Sequence, residues 1–389
     1  MANLFAASPR HGRLPFGVVV GLATLAVVML VGVVILWPMD GPGRTQANRD
    51  ERRSSTHLSI EDFAGDASCK ACHAREFEAH RQSGHASTLL PMPASDLAQR
   101  LSGNAVRDPQ RGYAYDFTLV DGTFTVTIPE FFGAEGLAVD WLLGSGIHAQ
   151  TPVSLSRQFG TGLEHRMTWY AESDAMGVTP GQQLYRSEDV SQPAEYFGRV
   201  FTWKEMCDCL GCHATFLPED RELTPETIIA NIGCERCHGP SRAHVDAARR
   251  GKAFEAPTPI RFPDAETLVD GCAECHRGEK DVLGDAAALK NVRFQPFGLK
   301  RSECFQKTPG GISCSACHDP HGPVSTDRVV YNRVCMNCHE PDTTKGCPKV
   351  PVGDCVSCHL PPVEIHPGLT FHDHWIRVRN DETDAKTIK

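Results

Sequence analysis

Hydrophobic and polar positions follow three regimes along this chain. Residues 16–37 form an apolar run of 22 positions without a charge, long enough for a helix across a hydrocarbon layer of about 30 Å. No small-residue cleavage signature follows it. The run therefore reads as an uncleaved single-pass anchor between a short cytoplasmic tail at 1–15 and a polar, charged tether at 38–62. Arg10 and Arg13 precede it and Arg44, Arg49, Arg52 and Arg53 follow it, so charge alone does not orient it. Over 113–128 apolar and polar residues alternate on both sides of Asp121-Gly122, the signature of a β-hairpin closed by a type I′ turn. Strand-like pieces at 153–159 and 164–170 extend this into a small β insertion over 106–170. Elsewhere neither period persists. The rest reads as short helices and loops, with a capped helix opening at Thr224-Pro225 and another candidate over 281–289.

That irregular remainder carries one repeated pattern. The pentapeptide C-x-x-C-H occurs seven times: Cys69/Cys72/His73, Cys209/Cys212/His213, Cys234/Cys237/His238, Cys272/Cys275/His276, Cys314/Cys317/His318, Cys335/Cys338/His339 and Cys355/Cys358/His359. The spacing has a mechanical reason. Two thiols three positions apart each reach one vinyl group of the same porphyrin and close thioether bonds, and the next residue lies under the iron as its proximal ligand. A bare C-x-x-C also serves zinc ribbons and dithiol redox sites. Neither requires a histidine directly after the second cysteine, and here it follows every time. Seven covalent c-type haems are the expected cofactors.

Composition fits a cofactor-filled interior. Among 389 residues only 7% are aromatic, while Gly and Pro number 34 and 27, a poor inventory for a large side-chain core. The expected fold is therefore mainly α and irregular and organised around haem, with the small β insertion and the amino-terminal transmembrane helix added. A first haem segment spans 63–105. The proximal histidines then pause for 140 positions before recurring at 25, 38, 42, 21 and 20, which defines a six-haem region at 171–365 and a tail at 366–389. Thioether attachment takes place outside the cytoplasm, so everything after the anchor is expected on the periplasmic side. The net charge of −9 argues against nucleic acid as a partner and suits steering toward basic redox proteins. Seventeen cysteines less the fourteen in motifs leave Cys207, Cys304 and Cys347. Cys304 and Cys347 can pair or stay free in such a compartment.

Each iron has a second axial position, and its occupant separates a carrier from a catalyst. Beyond the tether, nine histidines lie outside the motifs: His80, His85, His148, His165, His244, His321, His366, His372 and His374. Nine candidates can saturate seven irons. His85 lies twelve positions after His73, and His244 follows the third motif by a short turn. His321 follows His318 by three positions. His148 ends a Gly-Ser-Gly-Ile-His stretch whose glycines permit backbone close to a porphyrin face. His366, His372 and His374 follow the last motif.

In these motifs the chain resembles the multihaem cytochrome c superfamily that contains hydroxylamine oxidoreductase and its tetrahaem electron-accepting cytochrome. The resemblance rests on 69–86 (CKACHAREFEAHRQSGHA), 144–148, 233–244 (GCERCHGPSRAH), 313–321 (SCSACHDPH), 355–361 (CVSCHLP) and 371–377. It implies distal-ligand roles for His85, in its Ser-Gly-His-Ala context, and for His244. The chain departs from the family where Leu360 replaces the usual methionine and His80 a frequent tryptophan. The lysine-ligated C-x-x-C-K motif is absent, as is a clear equivalent of the tyrosine-crosslinked catalytic haem. The expectation is a membrane-anchored electron carrier with mostly bis-histidine irons, taking electrons from a membrane donor or a redox partner protein. The alternative is a reductase or oxidase of a small nitrogen or sulfur compound at one five-coordinate haem. The first suspect for that haem is the one at Cys272/Cys275/His276, because no other histidine lies between His276 and His318.

Overall fold

In a computed structural model, the described residues are 58–156, 161–218, 223–256, 262–282, 284–285, 288–339 and 354–379. The hairpin forms as its sequence dictates. Ala114–Val120 pairs with Thr123–Thr127, and Asp121 and Gly122 both take positive φ, 47° and 75°, as a type I′ turn demands. Tyr115, Phe117, Phe124 and Val126 alternate inward. Ala105–Arg107 and Gly136–Ala138 flank the pair to complete a four-stranded antiparallel meander.

A second sheet has seven strands. Leu89–Pro91, Trp141–Leu143, Ala149–Ser156, Thr161–His165 and Gly198–Thr202 run in that order, all antiparallel, and Met167–Tyr170 joins Ala149–Ser156 to Ala175–Val178. Inside it Arg166 and Asp108 form a fully buried ion pair. Arg166 also donates to Gln182 O (2.6 Å) and Gln110 Oε1 (2.8 Å), which satisfies the charge that burial strips of water.

These sheets correct the expected fold class. The described chain is mixed, with strands from Leu89 to Thr202 rather than one small insertion, and two further hairpins. One pairs Ala214–Phe216 with Ile229–Ala230, where a capped helix was expected after Thr224. Only a single turn forms there, because Thr224 O accepts from Thr227 and Ile228 before the β-branched Ile229 opens a strand. The other pairs Pro362–His366 with Leu369–His372. Short three- to five-residue strands carry too little alternation to be read singly, since long-range pairing rather than local pattern makes them. The expected membrane anchor is the second correction. Among the described residues no helix is long and apolar enough to cross a membrane. The run at 16–37 lies outside those residues, and an apolar run shows hydrophobicity without showing a helix. The strand expected over 153–159 lies outside beyond 156. Of the helix expected at 281–289 only short 3-10 turns flank the site, at Glu279–Asp281 and Leu289–Arg293.

Both hydrophobic clusters draw their buried members from residues 89–228. The second links Leu89, Trp141 and Val153 of the sheet to Met206 and Leu210 on the helix Trp203–Gly211. Met206 packs so closely that a Cβ on Gly162 would meet it at 2.6 Å. This is how the sheet positions Cys209. From Cys234 onward, a stretch with five motifs, the buried apolar side chains of the described residues belong to neither cluster.

Candidate haem centres

Each described motif is folded as one helical turn. The N–H of His73 bonds to Cys69 O (2.9 Å), that of His318 to Cys314 O (2.9 Å) and that of His339 to Cys335 O (3.0 Å). An i to i+4 bond of this kind holds both thiols and the imidazole along one edge. Cys234–His238, Ala265–His276 and Cys355–His359 are short helices that end on the motif histidine. None of the motif cysteines is in a disulfide. Among the described residues no three His, Cys, Asp or Glu side chains converge as a set for a bare metal ion.

Thiols from different motifs lie against one another. Cys69 lies beside Cys234, Cys212 beside Cys275, and Cys272 beside Cys314. Cys335 lies beside Cys355, and Arg236 Nη2 lies 4.0 Å from Cys275 Sγ. Motifs one, three, four and five thus form a contiguous series with the second beside the fourth, and the sixth lies beside both the fifth and the seventh. The two cysteines of a pair are not equally enclosed. Cys72, Cys209, Cys237, Cys338 and Cys358 are exposed, whereas the other cysteine of each of those pairs is half-buried. The reason is the helical turn itself. Where Cys69 packs on Cys234 and Cys355 on Cys335, Cys72 and Cys358 stand nearly one turn further on, past the contact with the neighbouring motif.

Backbone and carboxylate contacts fix this packing. Glu235, buried inside the third motif, accepts from the N–H groups of Ala64 (2.9 Å), Gly65 (2.8 Å) and Ser241 (2.7 Å). Asp66 Oδ1 accepts from Cys234 N–H (2.9 Å). Sequence reading missed both acids, although Glu235 stands between two motif cysteines.

Three motif imidazoles face a second histidine. The ring centres are 6.0 Å apart for His276 and His85, 6.1 Å for His238 and His321, and 6.3 Å for His318 and His374. An iron between two imidazoles needs about 2 Å of metal–nitrogen bond and about 1 Å from nitrogen to ring centre on each side, which puts the centres about 6 Å apart. The spacing therefore fits a metal between the rings. The site first suspected of an open position, that of His276, is the one that His85 faces. The other candidates stand elsewhere: His148 packs on Phe371 (5.0 Å), His366 stacks on Tyr170 (5.5 Å) and His244 lies on the helix Arg242–Arg249. His372 donates through Nδ1 to Leu360 O (2.6 Å). His165 is a core residue of the sheet, bonded to Ser154.

Hydrogen bonds set which ring nitrogen is free. Nδ1 donates to Thr88 O from His213 (2.9 Å), to Arg377 O from His359 (2.8 Å) and to His372 O from His374 (2.9 Å). Each bond leaves Nε2 as the basic nitrogen that a metal requires. Burial, with repulsion from His276 and His80, brings His85 down to about 4. Burial likewise brings His374 to about 4 and lowers His148, His213, His276 and His318. Neutral imidazole is the ligating form. Cys347 lies outside the described residues, and Cys304 is a free thiol near Cys317 and Cys338.

Comparison with known proteins finds c-type and multihaem cytochromes. A family model described as "Cytochrome c554 and c-prime" matches residues 179–239. The C-type polyheme cytochrome OmcB of Geobacter sulfurreducens is 27% identical over 134 residues, which make up 32% of this chain and 15% of that protein. Cytochrome c-554 of Nitrosomonas europaea is 28% identical over 101 residues, 23% of this chain and 43% of that protein. The match spans less than half the length of either relative. The outer cell wall cytochrome OcwA shares the fold with a TM-score of 0.51 at 15% identity, over 84% of this chain and 82% of the other.

Proposed function

We propose that this chain, a multihaem c-type cytochrome, carries electrons through seven covalent haems, one at each C-x-x-C-H, with most irons held by two histidines. The observation that carries this reading is the set of three motif imidazoles facing a second histidine at 6.0, 6.1 and 6.3 Å. When bound, each haem supplies an iron that takes up and gives back one electron. The chain's own residues do the rest. His85, His321 and His374 would supply the second imidazole to their irons and so keep small molecules from binding there. The Nδ1 acceptors hold the rings in the ligating tautomer. Neighbouring motifs would hold successive haems close to one another, in the series one, three, four, five with the second beside the fourth. His148, His244, His366 and His372 remain as candidate ligands for the other irons. The protein works outside the cytoplasm, where thioether attachment occurs, and exchanges electrons with redox partner proteins drawn to its acidic surface.

Low-temperature EPR of the oxidised holoprotein tests the reading. Low-spin signals accounting for most of the iron are expected. A dominant high-spin signal that shifts on adding cyanide or nitrite would instead assign the chain to catalysis at open irons.

A further inference from the structure

One short turn serves two of these centres. Gly84–Ser87 is a 3-10 turn, and it carries His85, whose ring faces that of His276 at 6.0 Å. Thr88 ends the turn and serves a different motif. Its carbonyl accepts from His213 Nδ1 (2.9 Å), and its hydroxyl donates to His213 O (3.0 Å). Thr88 therefore holds His213 at both ring and backbone. The same hydroxyl lies 3.4 Å from His85 O, so its single proton stands between the carbonyls of two candidate ligands.

Neighbouring segments grip this turn from two sides. Ile232 N–H donates to His85 O (2.9 Å), and Asn231 Oδ1 accepts from Leu89 N–H (2.8 Å). Asn231 holds a left-handed φ of 68° there, a conformation its short polar side chain tolerates. From the other side Gly144 N–H donates to Thr88 O (2.8 Å). Gly84 leaves no slack against that loop, since a Cβ on it would meet Ile147 Cδ1 at 2.8 Å and Ser145 Oγ at 3.3 Å. The backbone from His85 to Leu89 is thus tied at its start, at Thr88 and at its end. Close packing of this kind passes a displacement on rather than absorbing it. The two motifs it serves also meet at their thiols, where Cys212 lies beside Cys275.

We propose that Thr88 is a positioning residue shared by two irons: through one turn it sets the imidazole under the second haem and the second imidazole of the fourth. This rests on the paired-histidine reading of the preceding section. The Thr88 carbonyl orients the His213 ring and leaves its Nε2 as the ligating nitrogen. The turn that Thr88 closes fixes how His85 meets His276. One residue thereby adjusts both haems at the place where the second motif joins the series.

The experiment is EPR with a potentiometric titration of the full holoprotein, in wild type and in Thr88→Val, which removes the hydroxyl and keeps the carbonyl and the side-chain shape. Two variants assign the signals. His85→Ala removes the low-spin signal of the fourth haem, and Cys209→Ala, which leaves one thioether, moves that of the second. Thr88→Val is expected to move both assigned signals and to leave the remaining ones in place. The midpoint of the second haem is expected to rise, because a looser Nδ1 bond sends less electron density to the metal. The rise is about threefold in electron partition, or about 28 mV for one electron at about 59 mV per tenfold. Thr88→Ser, which restores the hydroxyl, is expected to return both signals to their wild-type positions. If Thr88→Val fails to mature, Gly84→Ala presses the same turn against Ile147 and is expected to move the same two signals. A shift in one assigned signal alone, or in neither, overturns the shared role and leaves the histidine pairing intact. His85→Ala that removes no low-spin signal overturns the pairing itself, and the shared role with it.

Discussion

Acid is expected to loosen the seven-stranded sheet through one residue that binds no cofactor. His165 is fully enclosed. Its Nε2 lies 2.8 Å from Ser154 Oγ, whose own proton goes to Ala138 O at 2.5 Å. The Ser154 oxygen is therefore the acceptor, Nε2 carries the histidine's proton, and Nδ1 is the nitrogen that acid would have to protonate inside the sheet. Burial depresses its pKa from 6.5 to about 3. The sign follows directly. Below pH 6.5 the unfolded chain takes up a proton that the folded chain refuses, so stability falls as pH falls and the loss is complete near pH 3. At about 1.36 kcal/mol per pH unit the penalty is about 2 kcal/mol at pH 5 and about 5 kcal/mol in the limit. Amide hydrogen exchange in Ala149–Ser156 and Thr161–His165, corrected for intrinsic rates, reads this locally and apart from haem absorption. Protection is expected to drop about thirtyfold from pH 7 to pH 5 in wild type. In His165→Gln, which keeps a donor toward Ser154, most of that drop is expected to vanish. Equal drops in the two proteins would refute the assignment.

Other perturbations test other joints. His85→Ala is expected to turn one low-spin haem high-spin, seen as a new EPR signal; an unchanged spectrum would detach His85 from His276. Asp108→Ala strands the buried Arg166 guanidinium and is expected to destabilise the sheet by about 3–5 kcal/mol, measured by urea unfolding; a loss under about 1 kcal/mol would show that Gln110 and Gln182 suffice. Glu235→Ala leaves the N–H groups of Ala64, Gly65 and Ser241 without their acceptor, at about 1–3 kcal/mol each where buried. Faster exchange at 64–66 is expected, and unchanged exchange there would mean that Asp66 alone ties the first motif to the third.

What the sequence makes legible is what local chemistry decides. The Asp121-Gly122 turn needs two positive φ values and declares them in its residue types. The pentapeptides declare their cofactor by spacing alone. Spacing does not say which thiol of a pair meets a neighbouring motif, so the exposure of Cys72 and Cys358 beside their half-buried partners emerges only from packing. His85 and His321 are nominated by their closeness in sequence to a motif, yet His85 faces His276 rather than His73, and only packing reveals that. His374 faces His318 across 56 positions, a distance over which no pattern carries information. The short strands at Leu89–Pro91 and Gly198–Thr202 are invisible for the same reason, because each exists only through a distant partner. Ile229 and Ala230 look like a helix after Thr224-Pro225 until the strand Ala214–Phe216 is there to receive them.

Seven haems on one chain is the claim on which the rest depends, and the intact mass of the purified holoprotein under denaturing conditions tests it most directly. Thioether bonds survive such conditions, so the expected mass is that of the chain plus seven haem groups. A fully matured protein carrying fewer would contradict it.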